Sequence, residues 1–168
     1  MTSTMIKKPV ESYSVYKGIS ELKRIRLSTS IAFDTETLQI PPEKGKLRLI
    51  QLGCNLTKSI VVIDCFDLTH EDWDTLKQFF HSIDRFWLAH NAVFDLGWLQ
   101  EHDIYPKGTV KCSFLANRLL YNGIPEVKHG LDAVAKKHLN IIVSKEQQKS
   151  DWGAETLSKE QLTYAAKD

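Results

Sequence analysis

An apolar run ends abruptly in two carboxylates at Ile31-Ala32-Phe33-Asp34-Thr35-Glu36-Thr37. In an extended chain residues i and i+2 share a face, so a strand here aims Asp34 and Glu36 at one spot beside its end. Two hard oxygen donors so placed suit Mg²⁺ or Mn²⁺. Taken alone, the pair is more simply a solvated acidic strand end. A second run, Trp87-Leu88-Ala89-His90-Asn91-Ala92-Val93-Phe94-Asp95, again leads an apolar strand into polar residues and places Asp95 in the first turns of a helix. A carboxylate there also complements the helix dipole, Asn91 has the type of a helix cap, and His90 reads as a structural histidine. In Tyr164-Ala165-Ala166-Lys167-Asp168 a phenol and a carboxylate stand four residues apart, on one helix face. The two alanines favour the helix and let neighbours come close. By itself this third piece is an ordinary surface pair.

The elements that must position these groups follow from periodicity. Residues 1–16 show no clear period and are read as a partly ordered lead-in. Ile19, Leu22 and Ile25 fall at helical spacing before the first strand. Strand-like runs at 30–33, 46–54 and 59–66 are separated by Pro41-Pro42-Glu43-Lys44-Gly45 and Asn55-Leu56-Thr57-Lys58, connections short enough for an antiparallel meander. Trp73, Leu76, Phe79, Phe80 and Ile83 then mark one apolar helical face, and residues 85–89 form a further short strand. A helix over 91–102 and a brief strand at 110–112 come next. A helix over 113–121, stopped by Asn122-Gly123, precedes another through Leu131, Val134, Ala135, His138 and Leu139. Ser158-Lys159-Glu160-Gln161 has the spacing of a capping box and opens a helix predicted to run to Asp168. A three-strand meander feeding alternating helices and strands predicts an α/β sandwich around one mixed sheet.

At 168 residues the chain has the length of one domain, and 42% hydrophobic with 26% charged residues is a globular composition, not a disordered or fibrous one. A net charge of +1 excludes a protein that grips nucleic acid by bulk charge, so any phosphate chemistry must import positive charge, for example as metal ions. Lys44, Lys46, Arg48, Lys128 and Lys145 could meet phosphates but read mainly as solvated surface. Cys54, Cys65 and Cys112 lie far apart without the close Cys or His partner of a zinc site, and read as reduced core thiols. No apolar run approaches the roughly 20 residues of a membrane span, and the first nine residues lack a secretory apolar stretch. No membrane partner and a cytoplasmic location are the default expectations.

Together, Asp34-x-Glu36, then Asn91-x-x-Phe94-Asp95, then Tyr164-x-x-x-Asp168 closely resemble the DEDD superfamily of 3′-5′ exonucleases in its tyrosine-containing (DEDDy) branch, over roughly residues 30–168. The stretches Gly45-Lys46-Leu47-Arg48-Leu49-Ile50-Gln51-Leu52, Ser150-Asp151-Trp152 and Leu157-Ser158-Lys159-Glu160-Gln161-Leu162 look like ribonuclease D and the proofreading exonuclease domain of bacterial DNA polymerase I. The resemblance implies a ribonuclease H-like α/β fold, a five-stranded mixed sheet flanked by helices, in a single domain 1–168. It implies hydrolysis at the 3′ end of a single-stranded or frayed RNA or DNA, with release of mononucleotides. By similarity Asp34, Glu36, Asp95 and Asp168 would hold two divalent ions, Mg²⁺ or Mn²⁺, with Asp34 bridging them and Asp95 acting through water. Tyr164 would orient the attacking water.

Physical chemistry agrees with that reading, because four converging carboxylates repel one another unless cations neutralise them. Two ions about 3.5 to 4 Å apart can activate water and stabilise a leaving 3′ oxygen. Phe94 and Leu38 are expected at the core or its rim. Related domains continue the helix past the third motif, and Asp168 is the last residue of this sequence, so its turn is expected to fray and Asp168 to be the least fixed ligand. The main rival is a nuclease-shaped module that binds nucleic acid or a partner protein without cutting, against which the complete carboxylate set speaks. A metal-dependent phosphomonoesterase is a weaker rival, since it leaves Tyr164 unexplained.

Overall fold

The computed structural model describes residues 13–38, 45–143, 146–147 and 150–167. Asp168, Lys44, Lys145 and most of the lead-in therefore lie outside the described residues. The segment that opens the first motif forms β2 (Ser30–Leu38), which continues well past the four residues expected for it, through both carboxylates. With β3 (Lys46–Cys54) and β4 (Ser59–Asp64) it makes the antiparallel meander expected from the short connections. β5 (Arg85–Ala89) and β6 (Gly108–Cys112) extend the sheet in parallel from β2. A sixth strand, β1 (Ser14–Lys17), pairs in parallel with β4 at the opposite edge. Its four residues carry no apolar alternation, so only backbone pairing reveals it. The sheet order is β1-β4-β3-β2-β5-β6.

Alternation sorts the strand residues onto two faces. Ile31, Phe33, Ile50, Leu52, Val61, Ile63 and Trp87 enter the larger core with Leu76, Phe79 and Phe80 of α1 (His70–Ser82) and Trp98 and Leu99 of α2 (Ala92–Gln100). The Phe80 and Trp87 rings stack with centroids 4.6 Å apart. A short 3-10 helix, Ile19–Arg24, buries Leu22 against the same core where a helical turn was expected. Arg85 is buried there too, and its guanidinium donates to the carbonyls of Arg26, Ser28 and Phe79 at 2.7 to 2.9 Å, which satisfies an otherwise costly buried cation.

On the opposite face Leu49 and Val62 pack with Trp152, Leu157, Tyr164, Ala165 and Ala166, the last three on or just after α5 (Lys159–Ala165). α3 (Ser113–Leu120) and α4 (Leu131–Leu139) are joined through the buried Asn117 amide, which bonds His129 and His138. Cys54 and Cys65 are buried free thiols and Cys112 is half-buried, as expected for reduced cysteines. Among the described residues no helix is long and apolar enough to cross a membrane.

Candidate active site

The β2–β3 register pairs Asp34 with Gln51 and Glu36 with Leu49. Directly paired residues project on one side of a sheet, so Asp34 and Glu36 share the face that carries Leu49 and the α5 layer, as their spacing predicts. Both are half-buried. Between them Thr35 points to the other face and is buried.

Asp95 comes to this strand from α2. Ala92, Asp95, Trp98 and Leu99 form the buried stripe of that helix, and Asp95 is 1% exposed. Its burial is matched by a bond, since the Thr35 hydroxyl donates to Asp95 Oδ1 at 2.7 Å. The third carboxylate is thus fixed to the residue that lies between the first two. Asn91 does occupy the N-cap position, but in a left-handed conformation (φ 62°) and without a side-chain capping bond, so its expected cap role is limited to its backbone, whose carbonyl accepts from the Phe94 N–H. His90 Nδ1 lies 2.9 Å from the Ser113 hydroxyl oxygen, in keeping with a structural histidine.

Tyr164 is held by the way α5 docks. The capping box read from the sequence is present, with the Ser158 hydroxyl accepting from Gln161 N–H and the Gln161 side chain accepting from Ser158 N–H. The buried Gln161 amide also donates to Ser150 Oγ and to the Asp151 carbonyl, tying the helix start to the preceding turn. Trp152 from that turn packs on the Tyr164 ring, centroids 6.3 Å apart.

The turn itself is pinned by Arg48. A bulge between Glu36 and Thr37 skips Arg48 in the β2–β3 register, and bulges re-aim side chains. Arg48, 1% exposed, donates to Asp64 Oδ2 at 3.0 Å, with Nε 2.9 Å from Oδ1, and to the Ala154 carbonyl at 2.7 Å. Arg48 is therefore no surface phosphate contact, contrary to the sequence expectation. Lys46 and Lys128 are exposed as expected. Gly153 lies close under Leu38, since an added Cβ would stand 2.9 Å from Leu38 Cδ2 and that side-chain end would have to shift. Leu38 packs against the Tyr164 cluster, and Phe94 against the larger core.

The chain thus gathers Asp34, Glu36 and Tyr164 in one layer and links Asp95 to their strand through Thr35. Among the described residues no three His, Cys, Asp or Glu side chains form a ready-made cation cage, and the fourth carboxylate of the motif set, Asp168, lies outside them. The donor chemistry is hard oxygen throughout, which fits Mg²⁺ or Mn²⁺ and not a soft metal. Sequence reading took Arg48 for surface and passed over Thr35, Asp64 and Gln51. A polar residue inside the apolar run Leu49-Ile50-Gln51-Leu52 is the kind of signal that exposes the last of these, because a buried polar side chain is the informative exception.

A family model described as 3′-5′ exonuclease matches residues 10–168. DNA polymerase I of Aquifex aeolicus (strain VF5) is 31% identical over 147 residues, 88% of this chain, and the chain spans 23% of that protein's length. The structure of Brucella melitensis NrnC with bound Mg²⁺ superposes with a TM-score of 0.71 at 26% identity, covering 94% of this chain and 75% of that one, and another structure of NrnC is bound to pGG. Escherichia coli RNase D shares the ribonuclease H-like fold, with a TM-score of 0.75 at 22% identity, covering 94% of this chain and 41% of RNase D.

Proposed function

We propose, for a chain that belongs to the 3′-5′ exonuclease family, that it hydrolyses the terminal phosphodiester bond at the 3′ end of a single nucleic-acid strand and releases mononucleotides. The observation that carries this reading is the convergence on β2: Asp34 and Glu36 on one face, Asp95 bonded to Thr35 between them, and Tyr164 in the layer above Leu49, the strand partner of Glu36. In this reading Asp34, Glu36, Asp95 and Asp168 would hold two divalent ions, Mg²⁺ or Mn²⁺. When bound, such ions activate water and stabilise charge on the leaving oxygen.

The chain's own residues then divide the remaining work. Asp34, half-buried on the face it shares with Glu36, would serve both ions. Asp95, one of whose oxygens accepts from the Thr35 hydroxyl, would reach an ion through water, as the family resemblance implies. Tyr164, its ring clamped by Trp152, orients the attacking water with its hydroxyl. With a net charge of +1, the chain relies on the ions to offset substrate phosphate charge. The substrate is a single strand or frayed end, because a base-paired terminus must open before its last phosphodiester can reach the carboxylates.

The test compares the wild-type chain with Asp34→Ala on a labelled oligonucleotide in Mg²⁺, with RNA, DNA and pGG as separate substrates. Wild type shortens at least one of them and Asp34→Ala shortens none, while its thermal midpoint stays level or rises because a crowded carboxylate has gone. Near-normal cleavage by folded Asp34→Ala overturns the reading. Binding of oligonucleotide by wild type without cleavage in any metal identifies a non-catalytic module instead.

A further inference from the structure

We propose that Gln51 is a positioning residue that holds Asp34 in the orientation that binds metal, an inference that rests on the two-ion reading above. Gln51 is 4% exposed, and among the described residues neither Nε2 nor Oε1 of its carboxamide has a hydrogen-bond partner. Burying an amide without partners is costly, because its lost bonds to water are not replaced. The site does not demand a polar group for packing, as Val62 beside it in β4 and Leu49 two residues earlier on the same face are apolar. A valine or leucine at 51 would complete that apolar layer at lower cost.

The register says what the amide is placed for. Gln51 is the direct cross-strand partner of Asp34, with Val62 on its other side. Cβ atoms of such pairs stand about 4.5 to 5.5 Å apart, so a rotamer change brings the Nε2 hydrogens to the Asp34 carboxylate. A carboxylate that binds a cation gains from a hydrogen-bond donor on its other side, which fixes its orientation. The same strand pairing leaves Oε1 to accept from a water in the site. Gln51 thus completes its hydrogen bonds when it turns to an ion-bound Asp34, which couples the amide to metal affinity.

The experiment measures Mn²⁺ binding by calorimetry or electron spin resonance, without substrate, for wild type, Gln51→Leu and Gln51→Met, alongside thermal midpoints in EDTA. Both variants are expected to weaken Mn²⁺ binding by about tenfold or more, while their midpoints in EDTA are level or higher. Gln51→Met keeps the side-chain length and serves if Gln51→Leu does not fold. Unchanged Mn²⁺ affinity in a folded variant overturns the inference, as does a lower midpoint in EDTA with unchanged affinity, which marks a purely structural amide. If wild type itself binds no Mn²⁺ at millimolar concentration, it is the two-ion reading that fails.

Discussion

At the scale of single residues, the site depends on groups that are placed without being exposed. Tyr164 is 9% exposed, so its ring belongs to the packing and only its hydroxyl is available for chemistry. Tyr164→Phe keeps the ring against Trp152 and is expected to slow cleavage by about 10²- to 10⁴-fold, the range for losing a positioned proton-handling group. Metal affinity and thermal midpoint stay near wild type, and a variant that loses Mn²⁺ affinity but keeps its rate at saturating metal contradicts the role. Thr35→Val removes the donor to a buried carboxylate at almost constant volume. It is expected to destabilise the fold by about 1 to 3 kcal/mol in urea titrations, and an unchanged midpoint would mean that Asp95 does not depend on Thr35. The shared face of Asp34 and Glu36 was legible from spacing, because the strand period decides which side chains lie together, whereas grouping them with Asp95 and Tyr164 rested on the order of the three motifs. Thr35 was not, since its importance comes from a residue 60 positions away.

At the scale of elements, the site depends on how α5 is seated. The buried Arg48–Asp64 pair and the carbonyls it binds in the turn before α5 form that seat. Arg48→Met leaves Asp64 buried and unpaired, at an expected cost of about 3 to 5 kcal/mol, whereas the Arg48→Met/Asp64→Leu double variant recovers much of that stability. Chemical denaturation of the three proteins checks both halves, and equal losses in single and double variants would contradict the pairing. α1 and the end of α2 meet through Trp73 and His102, whose rings stack 4.3 Å apart. Burial holds the His102 imidazole below its usual range; Lys77 acts in the same sense and Glu101 and Asp103 oppose it. The unfolded chain therefore takes up this proton at higher pH than the folded one. The contribution of His102 is complete above about pH 6.5 and is lost as pH falls from there through the folded value. His102→Phe keeps the stack and should flatten the fall of the urea midpoint on acidification; parallel curves would contradict this. Capping boxes at Ser158 and helix faces such as Leu76-Phe79-Phe80 are local signals and could be read directly. The bulge that turns Arg48 inward arises from pairing between distant segments, so the residue looked like surface.

At the scale of the whole molecule, a meander of three strands continued by parallel strands and helices was readable from connection lengths and periodicity. The edge strand β1 was not, because it offers backbone bonds and little apolar patterning. The resulting mixed sheet is a scaffold on which one strand, β2, meets both helical layers: α2 from one side through Asp95, α5 from the other through the Tyr164 cluster. The chain belongs to the 3′-5′ exonuclease family and is near-neutral, so the hydrolysis proposed for it would draw positive charge from cations. The most direct test incubates a 5′-labelled single strand with the protein in EDTA and then in Mg²⁺ or Mn²⁺, resolving products by length and identifying the small product by mass. The account predicts no reaction in EDTA. With metal it predicts a ladder that shortens stepwise from the 3′ end, equimolar mononucleotide, and protection by a blocked 3′ terminus. Release of the 5′ label first, internal cuts, or inorganic phosphate as the small product would contradict it.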